Sequence, residues 1–176
     1  MNGHGDTLGG AVIGSRELIE LIKWPGLCCF TGAALAPNNA WMIMRGMKTL
    51  DMRMKKHCEN GLALAEFLTS QSEIEEVRYP ALKNHPHYEL CQSQMNGLGG
   101  GIVSFRLKED IHGLTRDQVS RKFVNSLKLT TIATSLGEEH TLVQMNGENL
   151  IRIAVGLESA KDIIADFRQA LDAVHG

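Results

Sequence analysis

Arg152 is the residue of this 176-residue sequence whose setting most suggests chemistry. It lies inside the run Leu150-Ile151-Arg152-Ile153-Ala154-Val155-Gly156, which has the character of a strand. A period of two sends Arg152 to the face opposite Ile151 and Ile153. A guanidinium there either faces solvent or reaches an anion, and its planar fork suits a carboxylate held through two hydrogen bonds. The other candidates are weaker. His4-Gly5-Asp6 is open to two readings, a His/Asp pair or a tight turn between glycines. His85 and His87 flank Pro86 and read as loop histidines rather than a metal pair. Cys28 and Cys29, adjacent in the chain, are either a reactive thiol site or packing. Ser135-Leu136-Gly137 resembles a turn closing a strand.

The elements that must position these residues follow from periodicity and breakers. Leu8 to Gly14 reads as a glycine-flanked buried strand. Ser15 caps a short helix over Arg16 to Ile22, stopped by Pro25-Gly26. From Pro37 to Ser70, apolar residues at Met44, Met47, Leu50, Met54, Cys58, Leu62, Ala65 and Leu68 keep steps of three and four. That predicts one helix roughly 50 Å long, with Gly46 and Gly61 as points of bend or close packing. Strands are predicted at 74–79, 100–107, 129–133 and 150–156, with helices near 88–94 and from Thr115 to Leu127. A last helix follows Ser159, with Ile163, Ile164, Phe167, Ala170, Leu171 and Val174 on one face. The irregular alternation predicts an α+β domain with an antiparallel sheet covered on one face by helices.

Composition narrows the partners. Apolar residues make up 43% and charged residues 22%, which suffices for a packed core, and the net charge of -2 gives no electrostatic reason to expect nucleic acid or an anionic membrane. No run approaches the ~20 apolar residues of a membrane span, and no secretory signal is visible. The four cysteines, Cys28, Cys29, Cys58 and Cys91, form no CxxC pair and suit reduced thiols in the cytoplasm.

Several of these pieces, in order, resemble the Cys/Met metabolism (transsulfuration) family of pyridoxal-phosphate (PLP) enzymes. They are the Asn2-Gly3-His4-Gly5-Asp6 opening with Leu8-Gly9-Gly10, Arg45-Gly46-Met47-Lys48-Thr49-Leu50 with Arg53-Met54, and Tyr79-Pro80 followed by His85-Pro86 and Tyr88-Glu89-Leu90. Ser135-Leu136-Gly137, Leu150-Ile151-Arg152, Val155-Gly156-Leu157-Glu158 and Asp162-Ile163-Ile164-Ala165-Asp166 complete the set. The similarity leans toward the methionine and cystathionine γ-lyases.

The resemblance implies an α/β fold of the fold-type I PLP-transferase kind, with this chain its C-terminal portion. Residues 1–36 would end the large PLP-binding domain, 37–70 would be a long connecting helix, and 71–176 the C-terminal α+β domain. It implies a PLP-dependent γ-lyase cleaving C–S bonds of methionine, cystathionine or homocysteine-type substrates. The alternatives are an O-acetylhomoserine sulfhydrylase or γ-synthase-type replacement enzyme, a non-catalytic fragment needing a companion chain, or a free-standing domain whose Arg152 recognises a carboxylate. The Schiff-base lysine is expected just before Met1, so the 176 residues alone are expected to be inactive and to bind PLP weakly. Arg152 would bind the substrate α-carboxylate, with Ser135 and Leu136 beside the substrate. Cys28 and Cys29 stand where methionine γ-lyases carry a Lys-Asp pair, marking a specificity region. Between Gln144 and Glu148 the family usually has a further segment, either deleted in this chain or left out of the sequence as it reads, with the latter expected; a longer parent protein is expected as well. The family implies a homotetramer built as a dimer of dimers, and no metal.

Overall fold

A computed structural model describes residues 1–175, and the chain divides into two compact units, Met1–Leu50 and Asp51–Gly176. In the first unit, helix α1 (Arg16–Leu21) starts where expected, with the Ser15 hydroxyl accepting from the Leu18 N–H. An irregular helical segment, Ile22–Thr31, follows and ends at left-handed Gly32. Helix α2 (Pro37–Met47) opens on proline, whose fixed φ suits a first helical turn. The Asn2 and Asn39 side chains tie the opening segment to it, Asn2 Nδ2 donating to the Met42 carbonyl and Asn39 Nδ2 to that of Leu8. His4-Gly5-Asp6 lies in a turn. Gly3 and Gly5 both have positive φ, and the His4 N–H donates to Asn2 Oδ1.

Two expectations for this region are corrected. Leu8 to Gly14 forms no strand and is exposed, Ile13 at 95%, because no strand among the described residues pairs with it. The single long helix is two, since α2 ends at Met47 and α3 runs from Leu50 to Thr69. At the break the Lys48 and Thr49 N–H groups donate to Arg45 and Gly46 carbonyls, three residues or fewer back. Gly46 is the close-approach point, since a Cβ there would collide with the Asn2 carbonyl.

The second unit is a five-stranded sheet with helices on one face. Its strands are β1 (Ile74–Arg78), β2 (Ile102–Leu107), β3 (Thr131–Ile132), β4 (Leu142–Met145) and β5 (Ile151–Ala154), in the order β1-β2-β5-β4-β3. The sheet is antiparallel as expected except at one edge, where two-residue β3 runs parallel to β4. The loop from Ala133 to Thr141 carries the chain back alongside β3, so β4 starts in the same direction. β3 is shorter than the predicted 129–133 strand, and β4 was not foreseen.

Helices α4 (Tyr88–Met95), α5 (Arg116–Ser126) and α6 (Ala160–His175) complete the unit with α3. Thr115 caps α5 reciprocally with Gln118, a capping box. β2 buries Val103, Phe105 and Leu107 and turns Ser104 and Arg106 outward, the alternation of a half-covered sheet. These pack with Ile151, Ile153 and Val143 against Leu64, Leu68, Val119, Phe123, Ile163, Phe167 and Leu171. Phe105, Phe123 and Phe167 meet tilted or edge-on, with ring centroids 5.6 to 6.3 Å apart. Each fully buried ring contributes about 1.5–3 kcal/mol. Tyr79 is buried with its hydroxyl within hydrogen-bond reach of the Gly100 carbonyl at 2.9 Å and the Cys58 carbonyl at 3.1 Å.

Candidate functional site

Strand alternation decides where Arg152 points. Ile151 and Ile153 enter the core, so the guanidinium stem leaves on the uncovered face, in register with Ser104 on β2 and Gln144 on β4. Its Nη2 donates to the Thr134 carbonyl at 2.8 Å and the Ser135 carbonyl at 3.2 Å. Its Nε is buried with no hydrogen-bond partner among the described residues. A fork with one arm held by main-chain oxygens and a buried N–H left over is suited to accept a carboxylate.

Of the sequence-predicted site residues, Ser135 is the one drawn to Arg152, through its carbonyl. Its hydroxyl donates instead to Glu138 Oε1 at 2.5 Å. Leu136 is 58% exposed in the same loop, which turns at Gly137 with φ 74. Cys28 and Cys29 lie in the first unit, both free and exposed. No group of three or more His, Cys, Asp or Glu among the described residues is arranged to hold a metal.

The loop from Ala133 to Thr141 is anchored at both ends. The Ala133 N–H donates to the Val143 carbonyl, and the Thr131 N–H to that of Thr141. At the far end the Glu158 carboxylate accepts from the Thr141 N–H at 2.6 Å and from its hydroxyl at 2.8 Å. Thr141 Oγ1 in turn accepts from the Gly156 N–H at 2.9 Å. From α3, Asn60 Nδ2 donates to the Gly156 and Glu158 carbonyls, and His57 Nδ1 donates to that of Val155. Sequence reasoning assigned no role to Asn60, His57 or Thr141. The one signal was Val155-Gly156-Leu157-Glu158, directly after the strand that carries Arg152.

Residues 1–172 match the profile of the Cys/Met metabolism PLP-dependent enzyme family. An L-methionine gamma-lyase of Treponema denticola is 40% identical over 190 aligned positions, covering 98% of this chain and 46% of that protein. A canavanine gamma-lyase of Pseudomonas canavaninivorans is 37% identical, again over 98% of this chain and 46% of the relative. A solved Campylobacter jejuni structure, described as an O-acetylhomoserine (thiol)-lyase with a pyridoxyl-lysine phosphate, superposes with a TM-score of 0.78. It is 29% identical, over 91% of this chain and 38% of that one. The chain thus spans about half the length of the curated relatives it matches. Among the described residues every lysine is exposed or half-buried, with Lys23 paired to Glu20 and Lys55 to Asp51. None offers the desolvated amine that capture of a cofactor aldehyde uses, so the residues present fit a carboxylate and do not fit the PLP carbonyl. With its family motifs in order and its fold shared, the chain belongs to the Cys/Met metabolism family of PLP-dependent enzymes.

Proposed function

We propose that this chain supplies the carboxylate-recognition part of a PLP-dependent lyase that cleaves the C–S bond of methionine, cystathionine or homocysteine-type amino acids. The observation that carries it is Arg152, on an otherwise apolar strand, with one arm braced by two carbonyls and a buried Nε without a partner. Methionine and canavanine, the amino acids named for the relatives, differ in side chain and share the α-carboxylate that such a fork would read. Ser135 and Leu136 flank that carboxylate in this reading, and Cys28 and Cys29 belong to the region that selects the side chain. The likeness to an O-acetylhomoserine (thiol)-lyase favours a second reading, replacement rather than elimination at the γ-carbon. Product analysis with and without added thiol separates the two.

The reading extends to a homotetramer, a dimer of dimers, working in the cytoplasm. It is supported by exposed Trp24, Phe30, Trp41 and Met44 in the first unit and by four free cysteines that suit a reducing compartment. No helix among the described residues is long and apolar enough to cross a membrane.

The test is Arg152→Lys in the PLP-loaded enzyme that contains this chain. Lysine keeps the charge and loses the two-pronged geometry. kcat/KM for the sulfur amino acid should fall roughly 100-fold, with the cofactor absorbance retained. Unchanged turnover, or loss of the cofactor in its place, overturns the assignment.

A further inference from the structure

The carbonyls that brace Arg152 sit on a loop with no regular structure of its own, so something must hold them at 2.8 and 3.2 Å. One end of that loop is fixed by the β3–β4 pairing. The other end is held by the Thr131 N–H, which donates to the Thr141 carbonyl, and by Glu158. Its two carboxylate oxygens take both donors of Thr141, a residue that is fully buried. The Thr141 hydroxyl then accepts the Gly156 N–H, which lies four residues beyond Arg152 on the same extended chain. The Leu157 N–H adds a bond to the Glu139 carbonyl, inside the loop. Gly156 leaves no room for slack, because a Cβ there would collide with the Glu139 carbonyl and with the Glu158 carboxylate itself. Asn60 holds the opposite side of the same segment through the carbonyls of Gly156 and Glu158.

We propose that Glu158 is a positioning residue for Arg152. By clasping Thr141 it fixes the loop whose Thr134 and Ser135 carbonyls aim the guanidinium. The consequence for turnover rests on the carboxylate reading of Arg152, whereas the clasp acts on the geometry of Arg152 whether or not a ligand is present. A carboxylate is suited to this task because it accepts twice and donates nothing. Both Thr141 donors are buried, and leaving either unmade would be costly. Glutamine at 158 keeps the shape and one acceptor but presents an N–H to the Thr141 hydroxyl, which then loses the acceptor for its own buried proton.

The experiment uses the isotope-labelled 176-residue chain and reads hydrogen exchange by NMR at the loop amides from 134 to 141 and at the Arg152 Nε–H. In Glu158→Gln these sites should exchange roughly tenfold faster or more, while the core amides of Phe105 and Phe167 keep their wild-type protection. Thr141→Val, which removes the hydroxyl bridge, should give the same pattern, and Thr141→Ser should restore it. Wild-type exchange in both Glu158→Gln and Thr141→Val overturns the proposal. So does a rise of equal size at the core amides, which marks a general loss of stability. Failure of Arg152→Lys to alter turnover would leave these exchange rates as they are, so the two ideas fail separately.

Discussion

Residues 1–50 and 51–175 use the same apolar residue types to opposite effect. In the first unit one residue, Gly46, is buried, while Leu8, Ile13 and Phe30 are 84%, 95% and 79% exposed. In the second, Phe105, Phe123 and Phe167 are fully buried and touch one another. The difference lies in architecture rather than hydrophobicity. The second unit lays three helices over one face of a sheet, so the apolar faces of those helices meet the buried side chains of the strands. The first unit has short helical pieces and an extended opening, with no second layer to close over them. Its apolar side chains are what a covering surface would use.

The contrast can be broken by making one substitution in each region. Phe123→Ala should cost about 3–5 kcal/mol, measured by denaturant unfolding, since it empties the centre of the aromatic cluster. Phe30→Ala should change stability by less than about 0.5 kcal/mol. Should the two costs prove similar, the first unit's surface is covered in solution by association, and sedimentation of both variants would reveal it.

Glycines sharpen the same point at smaller scale. Gly99→Ala drives a Cβ to 2.5 Å from Tyr79 Cζ, and should cost roughly 1–3 kcal/mol because the buried ring has nowhere to go. Gly10→Ala meets nothing within 4 Å and should stabilise the chain slightly, by less than about 1 kcal/mol, through the unfolded state. Thermal melts of both variants provide the check.

The smallest effect expected is pH-dependent and belongs to the second unit. Burial alone raises the Asp166 carboxyl, but the N–H groups of Lys128, Thr130 and Leu129 outweigh it and hold the group below its ordinary value. Folding therefore gains from the ionised form above pH 3.8, and that gain is lost as pH falls through the lower folded value. Asp166→Asn should be less stable than wild type at neutral pH, and the gap should narrow in acid melts below pH 3.8. A constant gap would mean that the carboxylate charge is not what holds the loop from Lys128 to Thr130.

Much of this was legible where the determinant is local. The helix start at Thr115, the apolar face of α6 and the alternation around Arg152 all follow from spacing along a single element. The break at Lys48 and Thr49 was not, because the long run of three- and four-residue steps passes through it without a proline. β4 was missed because Leu142–Met145 is only four residues long, although Asn146-Gly147 follows it as a turn signal. The bonds from His57 and Asn60 to residues 155–158 span more than ninety residues of chain, so no motif spacing could announce them. Sequence thus singled out Arg152 and stopped short of the groups that hold the loop beside it.

The partners of Arg152 on the loop are carbonyl oxygens, and that bears on how the molecule can change. Any L-amino acid at positions 134 and 135 supplies the same two acceptors. The contact to the arginine therefore does not depend on which side chain stands at 134, whereas at 135 the serine hydroxyl also ties the loop to Glu138. Substitution at Thr134 can thus change what flanks the arginine while a main-chain carbonyl remains its partner.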